Sequence, residues 1–88
     1  MDEIGIRLDH DTTLAELEPG ESGVINRIRS GGSLKRRLNA MGLVEGTEIS
    51  LDHTAPMGDP KAYSLLGYQL SLRNEDARKI ILRHRNGK

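Results

Sequence analysis

The chain contains no cysteine, no tryptophan and no phenylalanine, and only two tyrosines among 88 residues. Without Cys there is no disulfide framework, no thiolate metal site and no thiol nucleophile. Without Phe or Trp the core has to come from Leu, Ile, Val, Met and the bodies of Tyr63 and Tyr68. No apolar run approaches the ~20 residues of a membrane-spanning helix. The opening MDEIGIRLDHD is acidic and lacks the basic and apolar regions of a signal peptide. These absences point to a soluble protein of a reducing, cytoplasmic compartment. Excess charge is missing too, since 13 Lys and Arg balance 13 Asp and Glu. A neutral chain is a poor bulk binder of nucleic acid, whose phosphates call for many unopposed cations. No aromatics stand among the cations to stack bases, so a nucleic-acid partner is not expected.

Catalytic patterns are equally scarce. Nothing matches G-x-x-x-x-G-K-[ST], so no P-loop cradles nucleotide phosphates. No Ser sits in a G-x-S-x-G elbow. Adjacent carboxylates occur only at Asp2-Glu3 and Glu75-Asp76, in exposed-looking contexts. No set of catalytic roles can be assigned, and the chain reads as a non-enzyme.

What is present is one small domain. A chain this short buries only about two-thirds of its unfolded surface. Its charge is segregated. Residues 1–21 hold seven acids against Arg7 alone, and the remainder holds twelve bases and six acids. The organising stretch is LKRRLNAMGLVEGTEISL, residues 34–51. Leu34, Leu38 and Met41 share one helix face, with Lys35, Arg36, Arg37 and Asn39 on the other. Ser33 is placed to cap the helix start. Gly42 is placed to end it in the left-handed conformation, with Leu43 meeting Leu38 across a Schellman stop. A turn at Glu45-Gly46 then leads to a strand over 47–51, with Ile49 and Leu51 inward.

Around that stretch the chain falls into short elements. Ile4, Ile6 and Leu8 alternate as a strand. Thr13 to Glu16 has capping-box spacing, with Leu14 and Leu17 inward and Pro19-Gly20 closing the turn. Residues 21–29 read as a strand whose broken period implies a bulge near Gly23. Residues 52–62 read as a long polar loop. Residues 63–65 and 68–72 form a hairpin about Leu66-Gly67. Asn74 caps a turn, and a last strand over 79–83 turns Ile80 and Leu82 inward and puts Ile81 on the other face. This organisation gives an extension over 1–12, a domain over 13–83 and a fraying tail over 84–88. About five short strands with one inserted helix predict a mainly-β fold, a small barrel whose closure removes exposed edges.

Three features are candidates for function. Asp9-His10-Asp11 and Asp52-His53 carry ligand types suited to Fe(II) or Zn(II). No third or fourth ligand stands at a useful spacing, so His10, His53 and Asp52 are either weak metal candidates or solvated polar positions. Lys35, Arg36 and Arg37 cannot all face the core. They are either a solvated helix face or a contact for an acidic partner surface. Met57, at the centre of the 52–62 loop, either tucks over the barrel end or meets a partner. Leu43 and Val44 raise the same question, with core packing favoured.

In order, these motifs resemble those of the FeoA family of bacterial ferrous-iron uptake. The resemblance runs from about Thr13 to Leu82. It rests on Leu14-Ala-Glu-Leu17 with Gly20, Gly23-Val-Ile25, and Leu34-Lys-Arg-Arg-Leu38 with Met41-Gly42-Leu43 and Gly46. It continues through Pro56-Met-Gly-Asp-Pro60, Gly67, Leu70-Ser-Leu-Arg73, Ala77 and Ile80. It implies an SH3-like small barrel with an early inserted helix. It also implies a cytoplasmic accessory role, binding and regulating or helping assemble FeoB, a membrane transporter with a cytoplasmic GTPase domain. A second copy of the chain is a further expected partner. The alternative implied by the same resemblance is a metal-responsive regulatory module, like the C-terminal domain of iron-dependent repressors. The family supplies no metal-ligand motif to place on these residues. The expected partner surface is Lys35, Arg36, Arg37, Leu43, Val44 and Met57.

Overall fold

The computed structural model describes residues 12–86. His10, the Ile4-Ile6-Leu8 strand and nearly all of the extension expected over 1–12 lie outside those residues. Five antiparallel strands form one sheet: β1 (Ser22–Ile28), β2 (Glu48–Thr54), β3 (Lys61–Leu65), β4 (Tyr68–Leu72) and β5 (Ile80–Asn86). Helix α1 (Gly32–Ala40) is inserted between β1 and β2, and a four-residue helix α2 (Asn74–Ala77) joins β4 to β5. A 3-10 turn over Leu14–Glu16 precedes the sheet. The architecture is mainly β, as the strand count implies, and SH3-like, as the resemblance implies.

The sheet does not close into a barrel. Its order is β4-β3-β2-β1-β5, so β4 and β5 are its two ends. The outer edge of β5 is already occupied, which removes the reason for closure. Leu82 donates its N–H to the Thr12 carbonyl at 2.8 Å, and Thr13 bridges Ile81. An edge whose groups are paired by a passing segment needs no second strand. The 3-10 turn that follows is fixed locally. The Thr13 N–H donates to Glu16 Oε2 at 3.1 Å, and both halves of the expected capping box are present. Leu14 and Leu17 are buried.

Inward positions follow the strand period. Ile25, Ile49, Leu51, Tyr63 and Ile80 are fully or almost fully buried, and Leu38 and Leu43 join them from the helix and its stop. The broken period of β1 is a pair of register shifts against β5, between Val24 and Ile25 and between Ile25 and Arg27. These bulges lie just past Gly23 and let Ile25 and Ile28 both point inward.

Several expected boundaries move. Helix α1 begins at Gly32 with Gly31 in the cap position, so Ser33 lies inside the first turn rather than capping it. Strand β2 runs on to Thr54 and β3 begins at Lys61, which shortens the 52–62 loop to residues 55–60. Asp52 and His53 are therefore strand residues. Pairing with β3 carries the strand through them, with a register shift between Leu51 and His53. Ile81, apart from the core cluster that takes Ile80 and Leu82, is buried as well, where Thr13 bridges it. Strand β5 runs past Arg83 to Asn86, since residues 84–86 find partners at Ser22–Val24.

Candidate functional site

The helix stop is built as its residues dictate. Gly42 takes φ +94°, a left-handed value that costs Gly least. Its N–H donates to the Asn39 carbonyl at 3.0 Å, and the Leu43 N–H donates to the Leu38 carbonyl at 3.0 Å. Those two bonds define the Schellman motif. Leu43 turns into the core and is fully buried. It cannot meet a partner directly, which corrects its place on the expected partner surface. Val44, the next residue, is 42% exposed.

Leu43 and Val44 still help to form a cleft. Residues of β1 (Ile25 to Ile28), Lys35 and Asn39 of α1, and Leu43 to Glu45 enclose about 250 Å³. Its apolar lining is Ile25, Ile28, Leu43 and Val44, and its charged lining is Arg27, Lys35 and Glu45. Lys35, Arg36 and Arg37 are all exposed. Arg37 Nη2 lies 3.1 Å from Asp76 Oδ2, which ties α1 to α2 across the surface. An exposed pair of this kind contributes little stability.

The loop over 55–60 meets α2 from the other side. Asp59 Oδ1 accepts the Asn74 N–H at 2.9 Å, and the Asn74 side-chain amide donates to the Gly58 carbonyl at 3.0 Å. Asn74 therefore is not the cap residue. Arg73 holds that position and Asp59, remote in sequence, supplies the acceptor. Met57 stands 91% exposed at the loop tip. Thus α1 is the element shared by two parts of the expected surface. Lys35 and Val44 line the cleft on one side of it, and Arg37 reaches toward α2 and the Met57 loop on the other.

The pattern of the sequence alone did not single out Leu66 and Tyr68. Leu66 is 68% exposed in the β3–β4 turn and has φ +50°, a position where Asn or Gly is the easier residue. The hydroxyl of Tyr68 donates to the Met41 carbonyl at the end of α1. The hairpin turn is thereby seated on the helix stop. The available signal was Leu66 preceding Gly67 where a two-residue hairpin turn requires positive φ.

Of the metal candidates, His10 lies outside the described residues. Among the described residues no three His, Asp or Glu side chains are grouped to hold an ion. His53 is exposed on β2. Asp52 is engaged elsewhere. Its carboxylate accepts hydrogen bonds from the Ser64 hydroxyl and from Gln69 Nε2, the latter at 2.7 Å. Those two bonds, Ser64 first, hold its carboxyl below the usual carboxylate range. Tyr63 is fully buried, and its hydroxyl has no hydrogen-bond partner among the described residues. Burial, with the Asp59 carboxylate adding, pushes it up to about 12.

A family profile described as "FeoA domain" matches residues 12–84. The chain belongs to the FeoA family. The Fe(2+) transport protein A/Fe(2+) transporter FeoB fusion protein of Porphyromonas gingivalis is 42% identical to this FeoA domain over 67 residues. That match covers 76% of this chain, which spans 8% of the length of the fusion protein. The solved FeoA-like protein of Clostridium acetobutylicum superposes with a TM-score of 0.77 at 38% identity, covering 83% of this chain and 85% of that one. The crystal structure of Stenotrophomonas maltophilia FeoA complexed with zinc, described as an SH3 domain protein, gives a TM-score of 0.76 at 23% identity. It covers 86% of this chain and 96% of that one. At that identity the likeness is one of fold, and the zinc belongs to that protein. In the Porphyromonas protein a homologous domain is joined to an Fe(2+) transporter, FeoB, in one polypeptide. No helix among the described residues is long and apolar enough to cross a membrane.

Proposed function

We propose that this FeoA domain is a cytoplasmic binding module that docks on the cytoplasmic part of a FeoB-type transporter through the exposed face of α1 and the Val44 rim beside it. The observation that carries the reading is the fusion of a homologous domain to a FeoB transporter in one polypeptide. Physical linkage raises the effective concentration of two modules that meet each other. The geometry supports the same reading. Lys35 and Arg36 are exposed on a rigid helix, Val44 offers an apolar contact beside them, and Met57 stands free at a loop tip. These are features of shape and charge that another protein can grip, with an apolar contact inside a polar rim.

The domain owns no P-loop. An effect on nucleotide hydrolysis therefore passes through the partner's conformation, which requires only different affinities for two partner states. The alternative, a metal-responsive regulatory module, rests on likeness of fold, and fold alone assigns no function.

The test is binding of the purified domain to the cytoplasmic part of a FeoB-type transporter by titration calorimetry. Lys35→Glu with Arg36→Glu is expected to weaken binding at least about tenfold, or 1.4 kcal/mol. Val44→Asp and Met57→Asp are expected to weaken it as well. Wild-type affinity in every folded variant overturns the surface. Sedimentation of the domain alone separates this partner from a second copy.

A further inference from the structure

We propose that two copies of this domain pair edge to edge through β4, antiparallel about a two-fold axis at Leu70, with Arg73 of each copy reaching Glu48 of the other. Three observations carry this. The first is the state of the sheet edges. The outer edge of β5 is taken by Thr12 and Thr13, whereas β4 ends the sheet on the other side. Leu66 and Gly67 have φ +50° and +84°, so their turn is of type I′ and Leu65 and Tyr68 form a hydrogen-bonded pair. Alternation along the ladder then directs the N–H and C=O groups of Gln69 and Ser71 away from β3. No backbone hydrogen bond among the described residues takes them up. The usual protections of an edge are missing too. Tyr68 to Leu72 contains no charge and no Pro, and its register with β3 runs without a bulge. The Gln69 side chain is drawn back across the sheet to Asp52.

The second is register. A two-fold axis at Leu70 sets Gln69 opposite Ser71 of the second copy and Ser71 opposite its Gln69, an isologous contact. These are the residues whose backbone groups point outward, so one register satisfies all of them. No like charges face each other along it.

The third is charge. The same register sets Arg73 opposite Gly67 of the second copy, where no side chain stands in the way. Gly67 lines an open hollow with Glu48, Ser64 and Leu66. Arg73 continues β4 in extended conformation, φ −72° and ψ 148°, so it shares a face with Gln69 and Ser71. Ser64 pairs with both Ser50 and Gln69, which puts Glu48 on that face as well. Arg73 and Glu48 are exposed, and neither has an ion-pair partner among the described residues. The symmetric pairing supplies each with its opposite charge, once at either end.

The result is one continuous sheet across two copies. A contact of so few residues is small, so the dimer is weak and concentration-dependent. The inference goes beyond the transporter reading, and its test needs no transporter.

The chain has no cysteine, so Gln69→Cys and Ser71→Cys, both at exposed positions, each place a single thiol. Across the axis, residues 69 and 71 lie about 5.5 Å apart between Cα atoms, within disulfide range. Like residues lie about 7–8 Å apart, outside it. Equal amounts of the two variants, mixed in a glutathione redox buffer, are expected to give mainly the mixed disulfide. A mixed share no higher than the half that random collision gives overturns the proposal. Sedimentation equilibrium of the wild-type domain is expected to show a mass rising toward a dimer as concentration reaches the millimolar range. A mass that stays at the monomer overturns it and leaves the edge to a strand of another protein. Arg73→Glu and Glu48→Arg are each expected to weaken association about tenfold, and the double variant is expected to recover it. A folded double variant, by circular dichroism, that associates no better than the single ones overturns the proposed register.

Discussion

Replacing Gly42 with Ala tests how the helix stop is held to the rest of the domain. Gly46 provides the reference, because it has nearly the same backbone, φ +91° against +94°. A Cβ at Gly46 would meet only Arg83 Nη2 at 3.9 Å, an ordinary contact. A Cβ at Gly42 would meet Leu66 Cδ1 at 2.9 Å and the Tyr68 hydroxyl oxygen at 3.1 Å. The left-handed backbone alone disfavours Ala by about 1–2 kcal/mol. Part of that is offset by the smaller unfolded-state entropy of Ala, leaving about 1 kcal/mol at either site. At Gly42 the Leu66 methyl must also swing away, which is easy for the end of an exposed side chain. The Tyr68 hydroxyl, held to the Met41 carbonyl, has less freedom. Straining or losing that bond adds about 0.5–1 kcal/mol. Gly42→Ala is therefore expected to cost about 2 kcal/mol and Gly46→Ala about 1. At about 4–8 °C per kcal/mol for a domain of this size, the two midpoints should differ by roughly 4–8 °C. Urea and thermal unfolding followed by far-ultraviolet circular dichroism measure both. Combining each substitution with Tyr68→Phe should shrink the difference. Equal losses at the two glycines would refute the seating of the hairpin turn on the helix stop.

Other expectations follow from single contacts. Tyr63→Phe removes a buried hydroxyl without a partner, so stability is expected to stay level or rise by up to ~1 kcal/mol in urea unfolding. The same group gives an alkaline signature. Its pKa is raised to about 12 from 10.0, so stability is full below pH 10 and falls as pH rises toward the folded value. The fall amounts to about 3 kcal/mol at most, and Tyr63→Phe should remove that part of the alkaline limb. Asp52 works in the opposite sense. Its lowered pKa contributes stability at neutral pH that is lost as pH falls below the usual carboxylate range. Asp52→Asn should flatten that acid limb slightly, since the group is exposed. Asp59→Ala removes the acceptor of the Asn74 N–H at the start of α2 and is expected to cost about 1 kcal/mol in the same assay. Arg37→Ala breaks an exposed pair with Asp76 and is expected to change stability by less than about 0.5 kcal/mol.

Local chemistry made some of this structure readable. The end of α1 was legible because Gly42 and Leu43 satisfy the Leu38 and Asn39 carbonyls within the same short stretch. The hairpin at Leu66-Gly67 was legible for the same reason. Features that depend on remote partners were not. Asp52-His53 looks like a loop entry because both residues are polar. Only Ser64 and Gln69, from the neighbouring strands, show that Asp52 belongs to a strand surface. Asn74 looks like a cap, yet its acceptor comes from Asp59 across the fold. Barrel closure was expected from strand number, and what replaces it is the passage of Thr12 and Thr13 along β5. At the candidate site, the exposure of Lys35, Arg36 and Val44 was compatible with the residue pattern. The burial of Leu43 follows from the direction in which the Schellman stop aims it.

The most direct test of a gripping surface centred on α1 is an amide chemical-shift map. The isotope-labelled domain would be titrated with the cytoplasmic part of a FeoB-type transporter. The account predicts saturable shifts concentrated at Lys35, Arg36, Asn39 and Val44, with Met57 responding at the loop tip. Shifts confined to strands remote from α1, or a saturable complex that leaves those residues unmoved, would contradict it.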